Sequence, residues 1–180
     1  MYQLTNLALC DKAMSLRQDP VGNKNFFSEI ISSISSVAFT PNGRHVVCRD
    51  YMTVKVWDLA NTKKPVLNVS IQDSLRAKLC EMYENESILD RFKLTISNDG
   101  NSIMTGNYNS WFHMIDASNG NNYQYELSYK KQTINKQILP NKLTNLPKMD
   151  YHRKVSVCDF SPAKNMVAAG CWNSFFIYSM

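Results

Sequence analysis

The feature that most limits what this chain can fold into is an internal repeat built on the stretch VAFTPNGRHVVCRDYMTVKVWDL, Val37 to Leu59. Val37 and Phe39 alternate with small or polar residues, as on a half-buried strand, and Pro41-Asn42-Gly43 is turn chemistry. Val46 and Val47 open a second strand, and Val54-Lys55-Val56-Trp57-Asp58 forms a third. Sliding Ser35–Trp57 forward by 121 residues without a gap lays Phe39-Thr40-Pro41 on Phe160-Ser161-Pro162, Val46 on Val167, Thr53 on Ser174, Val56 on Ile177 and Trp57 on Tyr178. A further copy lies between them. Asp99-Gly100 stands for Asn42-Gly43, Ile103-Met104 for Val46-Val47, and Gly106-Asn107-Tyr108-Asn109-Ser110-Trp111-Phe112 matches Gly170-Cys171-Trp172-Asn173-Ser174-Phe175-Phe176.

A unit of a few strands cannot bury its apolar faces alone, so units that recur along a chain stack on one another. Short strands at this spacing, with Trp57-Asp58 closing the third, are the signature of WD-repeat blades in a β-propeller. The expected fold is therefore all-β, with blades near residues 35–70, 91–127 and 155–180 and inter-blade insertions at 71–90 and 117–154. The turn-to-turn offsets, 57 and then 64 residues, exceed the roughly 40–45 of a plain repeat, and such insertions are where function concentrates. Propellers close with about four to eight blades, so the expectation is about three C-terminal blades of a larger ring. Tyr51 stands six residues before Trp57, where WD blades commonly carry Asp, which shifts the expected packing toward apolar filling.

The five cysteines, at 10, 48, 80, 158 and 171, never approach C-x-x-C spacing, so neither a zinc site nor a disulfide framework is expected. Reduced thiols in the cytoplasm or the nucleus are the simple reading. No window approaches 18 apolar residues, so no membrane association is expected. The net charge of +5 is local: residues 117–154 hold seven Lys or Arg against two acidic residues, and the rest of the chain is neutral. That segment is rich in Asn, Gln and Lys, with Pro140 and Pro147 as breakers, which favours a solvated loop over a nucleic-acid-binding patch.

Residues 7–11 read as the outer strand of a preceding blade, and Gln18–Asn23 as a loop. Phe26–Ser35, FFSEIISSIS, reads as a connector whose isoleucines pack under the next blade, with Phe26, Phe27 and Glu29 open to a partner. A strand at Val66–Val69 precedes the first insertion, which opens on a short helix. Asp73 or Ser74 can cap that helix, and Leu75, Leu79, Met82 and Tyr83 make one apolar stripe. Its far end carries Glu81, Glu84, Glu86 and Asp90. Carboxylates at a helix C-terminus oppose the macrodipole by roughly 0.3–1 kcal/mol each, so local stability does not account for them. They read either as an acidic rim awaiting a basic partner or as ordinary solvated groups. No catalytic constellation is present: His45, His113 and His152 are at unrelated positions, and there is no nucleophile elbow, phosphate loop or metal-ligand spacing. No cofactor is expected.

Three stretches go further than generic blades. FFSEIISSIS at 26–35, RDYMTVKVWDL at 49–59 and LRAKLCEMYEN at 75–85, together with MTGNYNSWF at 104–112, closely resemble the 55 kDa WD-repeat B-type regulatory subunits of protein phosphatase 2A. The resemblance runs from about Ala8 to Asp116 and resumes over Val155–Tyr178. It implies a seven-bladed propeller that docks on a helical-repeat scaffold subunit, faces the catalytic subunit and selects phosphoserine and phosphothreonine proteins for a reaction performed elsewhere. It implies no catalytic residue and no metal. Carried over position by position, the implied partner-binding set is Phe26, Phe27, Glu29 and Ser33 in the connector, then Cys80, Tyr83, Glu84, Glu86, Leu89 and Arg91. Glu86, Leu89 and Arg91 replace the family's usual Asp, Phe and Lys, so charge is kept while an aromatic anchor is lost. The rival reading is a generic WD-repeat interaction module of another complex, such as a ubiquitin ligase adaptor.

Overall fold

The computed structural model describes residues 26–127 and 149–179, together with the backbone of Lys136–Gln137. The strand and loop expected at 7–11 and 18–23, and most of the basic insertion, lie outside the described residues. Three antiparallel sheets follow one another along the chain. The first comprises β1 (Ser36–Phe39), β2 (His45–Arg49), β3 (Thr53–Asp58) and β4 (Leu67–Ser70), hydrogen-bonded in sequence order. The second runs through β5 (Leu94–Ile96), β6 (Ser102–Gly106), β7 (Trp111–Asp116), β8 (Asn122–Glu126) and the two-residue β9 (Lys136–Gln137). The third holds β10 (Val155–Phe160), β11 (Met166–Cys171) and β12 (Ser174–Ser179). Register confirms the repeat residue by residue. Phe39 faces Val46, Ile96 faces Ile103 and Phe160 faces Val167, each as the last pair before the first turn of its sheet. Gly43 and Gly100 sit in the first two of those turns at φ 68° and 76°, which is why a glycine recurs there.

Alternation places one set of side chains from each sheet against its neighbour. Val47, Val54, Val56 and Val69 of the first sheet pack with Leu94, Ile103 and Ile115 of the second. Met104 and Phe112 of the second pack with Cys158, Phe160 and Val167 of the third. Each such aliphatic or aromatic residue contributes about 1.5–3 kcal/mol by leaving water. Polar links stitch the same junctions: the Leu94 amide donates to Ser36 Oγ at 3.1 Å, and the Lys93 amide to the Ser156 carbonyl at 2.9 Å. Arg49 bridges the first junction from inside. Its Nη1 donates to Thr105 Oγ1 and, at 2.7 Å, to the Gly106 carbonyl, and its guanidinium lies 4.5 Å from the Phe92 ring centroid. Burial pulls its pKa down to about 9, so it still carries its charge at neutral pH.

Two local expectations are corrected. The aspartate of the β2–β3 turn is present one residue earlier than the slot occupied by Tyr51. Asp50 accepts from the Met52 and Thr53 amides at 2.8 and 2.7 Å, from Thr53 Oγ1 at 2.8 Å and from Lys55 Nζ at 2.5 Å. The turn is therefore held by a buried polar cluster as well as by apolar filling, and Tyr51 is released to point elsewhere. The connector is also more ordered than its sequence suggests: Phe27–Ser32 is a helix, α1. Two isoleucines and two serines in six residues are weak helix formers, and so short a helix does not persist alone. Burial of Ile31 and a hydrogen bond from the Tyr51 amide to its carbonyl, 3.1 Å, supply what propensity lacks.

His113 on β7 is fully enclosed. Its Nδ1 donates to Asn122 Oδ1 at 2.9 Å while Nε2 accepts from Asn107 Nδ2, also at 2.9 Å, an arrangement that requires the neutral ring. Burial pushes its pKa down to about 4. The unfolded chain takes up this proton near pH 6.5 and the folded chain does not, so stability is full above about pH 6.5 and falls on the way to about pH 4, by roughly 3 kcal/mol. Denaturant midpoints measured across that interval should flatten in His113→Gln relative to the parent.

Candidate functional site

The first insertion folds over the end of the sheets where the β2–β3 and β6–β7 turns lie. A 3₁₀ segment, Asp73–Lys78, leads into a helix, α2 (Leu79–Glu84), and a second 3₁₀ turn, Ser87–Leu89, follows. The cap differs from the sequence expectation. Gln72 occupies the N-cap with no side-chain cap bond, and Asp73 instead accepts from Arg76 Nε at 3.1 Å. Of the expected apolar stripe, Leu75 and Met82 are buried with Ile31, Tyr51, Ile88, Phe92 and Tyr108, and Leu79 packs against their edge. Tyr83 leaves the stripe and turns outward.

It turns toward the connector. Tyr83 meets Phe26 edge-on at 5.3 Å between centroids and Phe27 at 6.0 Å, and the two phenylalanines meet at 5.2 Å. Each such contact contributes about 0.5–1.5 kcal/mol beyond its area. The trio nevertheless stays open, with Phe26 66% and Tyr83 49% exposed, and Leu89 nearby in sequence is 58% exposed. Scattered apolar residues on a surface need no explanation, whereas an open aromatic cluster does. Glu29, Glu84 and Glu86 are all exposed, and none forms an ion pair among the described residues. Glu86 holds a left-handed backbone at φ 62°, closing α2 where glycine or asparagine is usual, at a cost of about 1 kcal/mol. Arg91 reaches back 58 residues to donate from Nη1 to Ser33 Oγ at 3.0 Å, tying the far end of the insertion to the connector.

The structure thus gathers Phe26, Phe27 and Tyr83 into one contact and Ser33 and Arg91 into another. Glu29, Glu84 and Glu86 sit on the same two elements. Cys80 and Leu89 are exposed on α2 and on the turn after it, without a hydrogen bond or ring contact to the aromatic trio. Two members of the expected acidic rim prove to be engaged. Asp90 pairs with Lys154 and accepts from Tyr108 Oη at 3.0 Å, and Glu81 accepts from Tyr151 Oη at 3.1 Å. Behind them lies a buried hydroxyl network: the Tyr51 and Tyr108 hydroxyls lie 2.7 Å apart, and their two protons are shared among each other, Asp90 and the Ser87 carbonyl, which lies 3.1 and 2.8 Å away. Burial, the first cause in each case, raises the pKa of both phenols, so they stay protonated donors. Tyr151, pushed up to about 12 by burial and then by Glu81, stays protonated too. Tyr108, Tyr151 and Lys154 carried no local sequence signal, because their partners lie 18 to 70 residues away. Among the described residues no group of three or more His, Cys, Asp or Glu is placed to hold a metal ion. What the arrangement can do is bind: an apolar, aromatic surface beside carboxylates that have no cation among the described residues.

Comparison with known proteins agrees with this fold. Residues 28–58 match the model of the family described as WD domain, G-beta repeat, and with the three sheets this makes the units WD-repeat propeller blades. Among curated proteins, the serine/threonine-protein phosphatase 2A regulatory subunit phr2AB from Dictyostelium discoideum is 35% identical over 193 residues, 98% of this chain. The gamma isoform of the human 55 kDa B-type regulatory subunit of the same phosphatase is 35% identical over 183 residues, 95% of this chain. Both of these relatives are regulatory subunits of protein phosphatase 2A. The chain spans about two fifths of their length, 40% and 41% respectively. Among solved structures the RRP9 WD40 repeats align with a TM-score of 0.47 and 13% identity, covering 76% of this chain and 32% of that one.

Proposed function

We propose that this chain is part of a non-catalytic regulatory subunit that selects phosphoserine and phosphothreonine proteins for protein phosphatase 2A. In that role it works beside a helical-repeat scaffold subunit and a catalytic subunit that performs the hydrolysis. The observation that carries the proposal is the open Phe26–Phe27–Tyr83 cluster flanked by the exposed carboxylates Glu29, Glu84 and Glu86. The homology supplies the phosphatase, and the surface supplies the kind of segment it takes: basic, with an apolar side chain to lie on the aromatic rings. Carboxylates without a cation speed encounter with such a segment and reject acidic ones, contributing more to selection than to affinity. The left-handed Glu86 fits this account, since a residue kept at an unfavourable backbone position serves something other than local stability.

The double substitution Glu84→Lys, Glu86→Lys reverses the sign of the surface without touching the core. In the complete protein it is expected to reduce capture of basic phosphoprotein substrates by roughly tenfold or more while leaving co-purification of scaffold and catalytic subunits unchanged. Affinity purification followed by quantitation of both classes of partner measures this. Undiminished substrate capture would remove the surface from the mechanism. Retrieval of unrelated partners without either phosphatase subunit would favour a WD-repeat module of another complex.

A further inference from the structure

The residues implied by resemblance lie on the connector and the first insertion, with Arg91 one residue past it, yet the floor beneath them comes from elsewhere. Met149–Lys154 crosses under α2 on its way to β10. Its backbone is pinned to the β6–β7 turn: the Asp150 amide donates to Asn109 Oδ1 at 2.6 Å and the Ser110 amide to the Arg153 carbonyl at 2.6 Å. Met149 and Tyr151 pack against the cluster that contains Ile31, Leu75, Met82 and Tyr108, and the Tyr151 ring meets Tyr108 edge-on at 5.3 Å. From this fixed base two side chains reach the acidic rim. Lys154 pairs with Asp90, and the Tyr151 hydroxyl donates to Glu81.

We propose that Lys154 is a specificity-determining positioning residue: by pairing with Asp90 from below, it removes that charge from the field offered to a basic partner and leaves Glu81, Glu84 and Glu86 beside Glu29. This rests on the binding surface proposed above. Four rim acids follow one another within ten residues, Glu81, Glu84, Glu86 and Asp90. Without an internal cation, all four would add to one attractive field and the surface would take any polycation. With Asp90 paired, the field narrows toward the strip beside Phe26 and Tyr83, where an apolar side chain is also required, while the Tyr151 hydroxyl orients Glu81 without cancelling its charge. Lys154 touches no partner itself; it acts through Asp90.

The probe is a fluorescein-labelled peptide of four arginines flanking two leucines, with an oligo-arginine peptide lacking leucine as its counterpart. Affinity is read by fluorescence anisotropy across a salt series on the complete protein. Lys154→Met leaves Asp90 without its cation and is expected to tighten oligo-arginine binding at low salt by about two- to fivefold, to steepen its salt dependence and to narrow the preference for the leucine peptide. Tyr151→Phe, which removes one hydroxyl, keeps the ring packed and changes no charge, is the control and is expected to leave the salt slope at that of the parent. Adding Asp90→Asn to Lys154→Met should return the salt slope to that of the parent, which a merely structural role for Lys154 would not do. A salt slope unchanged in Lys154→Met would overturn the proposal. Glu84→Gln with Glu86→Gln separates the two readings: if it weakens the probe while Lys154→Met does nothing, only this inference falls, and if it leaves the probe untouched, the surface itself is not the binding site.

Discussion

Gly106→Ala is expected to cost more stability than any surface substitution in the chain, about 3–5 kcal/mol, with a corresponding collapse of the urea midpoint. A β-carbon on Gly106 would stand 1.7 Å from the Val155 carbonyl oxygen and 2.6 Å from its carbonyl carbon. Both atoms are backbone, and neither can step aside. The Val155 amide is fixed by the Asn107 carbonyl at 2.8 Å, and the Gly106 carbonyl receives Arg49 Nη1, so a shift here disturbs both junctions between sheets at once. Domains of this kind have about 5–15 kcal/mol in hand, so the variant should populate unfolded chain at moderate temperature. Gly170, its counterpart in the third sheet, provides the control. There the added β-carbon meets Val157 Cγ2 at 2.7 Å, the tip of a side chain that is 53% exposed and can rotate away. Gly170→Ala should therefore be much the milder of the pair, and equal costs would contradict the packing described for Gly106.

Lys55→Met is expected to destabilise the first sheet by about 3–5 kcal/mol, because it removes the ammonium from a carboxylate that cannot reach water. Lys55 and Asp50 are 3% and 2% exposed and lie 2.5 Å apart, and Lys55 Nζ also donates to Thr53 Oγ1 at 2.8 Å. Without Lys55 the charge on Asp50 loses its nearest cation and keeps the Met52 and Thr53 amides and the Thr53 hydroxyl among its partners. Converting both residues, Asp50→Asn with Lys55→Met, should recover a large part of the loss, since a neutral amide still accepts from the Met52 and Thr53 amides and brings no buried charge. A double-mutant cycle in urea would show this as a strong positive coupling. A single variant no less stable than the parent would mean that the ion pair merely breaks even with the water it displaced.

What the sequence disclosed, it disclosed through periodicity. Alternation at Val37–Phe39, the valine pairs at Val46 and Ile103, and a glycine at 43 and 100 located strands and register, because a period of two and a positive φ each leave a direct imprint on residue choice. The outward set at α1 and α2 emerged from resemblance and from the odd placement of acids at a helix end. What stayed hidden had no local imprint. The α1 helix exists because Ile31 finds a buried site, a tertiary reason that outweighs its β-branched, serine-rich composition. The turn aspartate fell one residue from its customary place, so a fixed spacing rule put Tyr51 where Asp50 does the work. Asp90 and Glu81 read as free acids until their partners, 64 and 70 residues further on, were brought against them.

The sequence separations in that hydroxyl network lead us to expect an order of assembly. Hairpins within each sheet close over a few residues and form early, whereas Tyr51, Ser87, Tyr108 and Lys154 must all be present before α2 is fully seated. On the ribosome, where the chain emerges from its amino end, the first sheet and its overlying helix are therefore expected to wait while the second sheet is still being made. The proposed binding surface is completed only when the segment Met149–Lys154, which leads into the third sheet, arrives, so its formation depends on its neighbours.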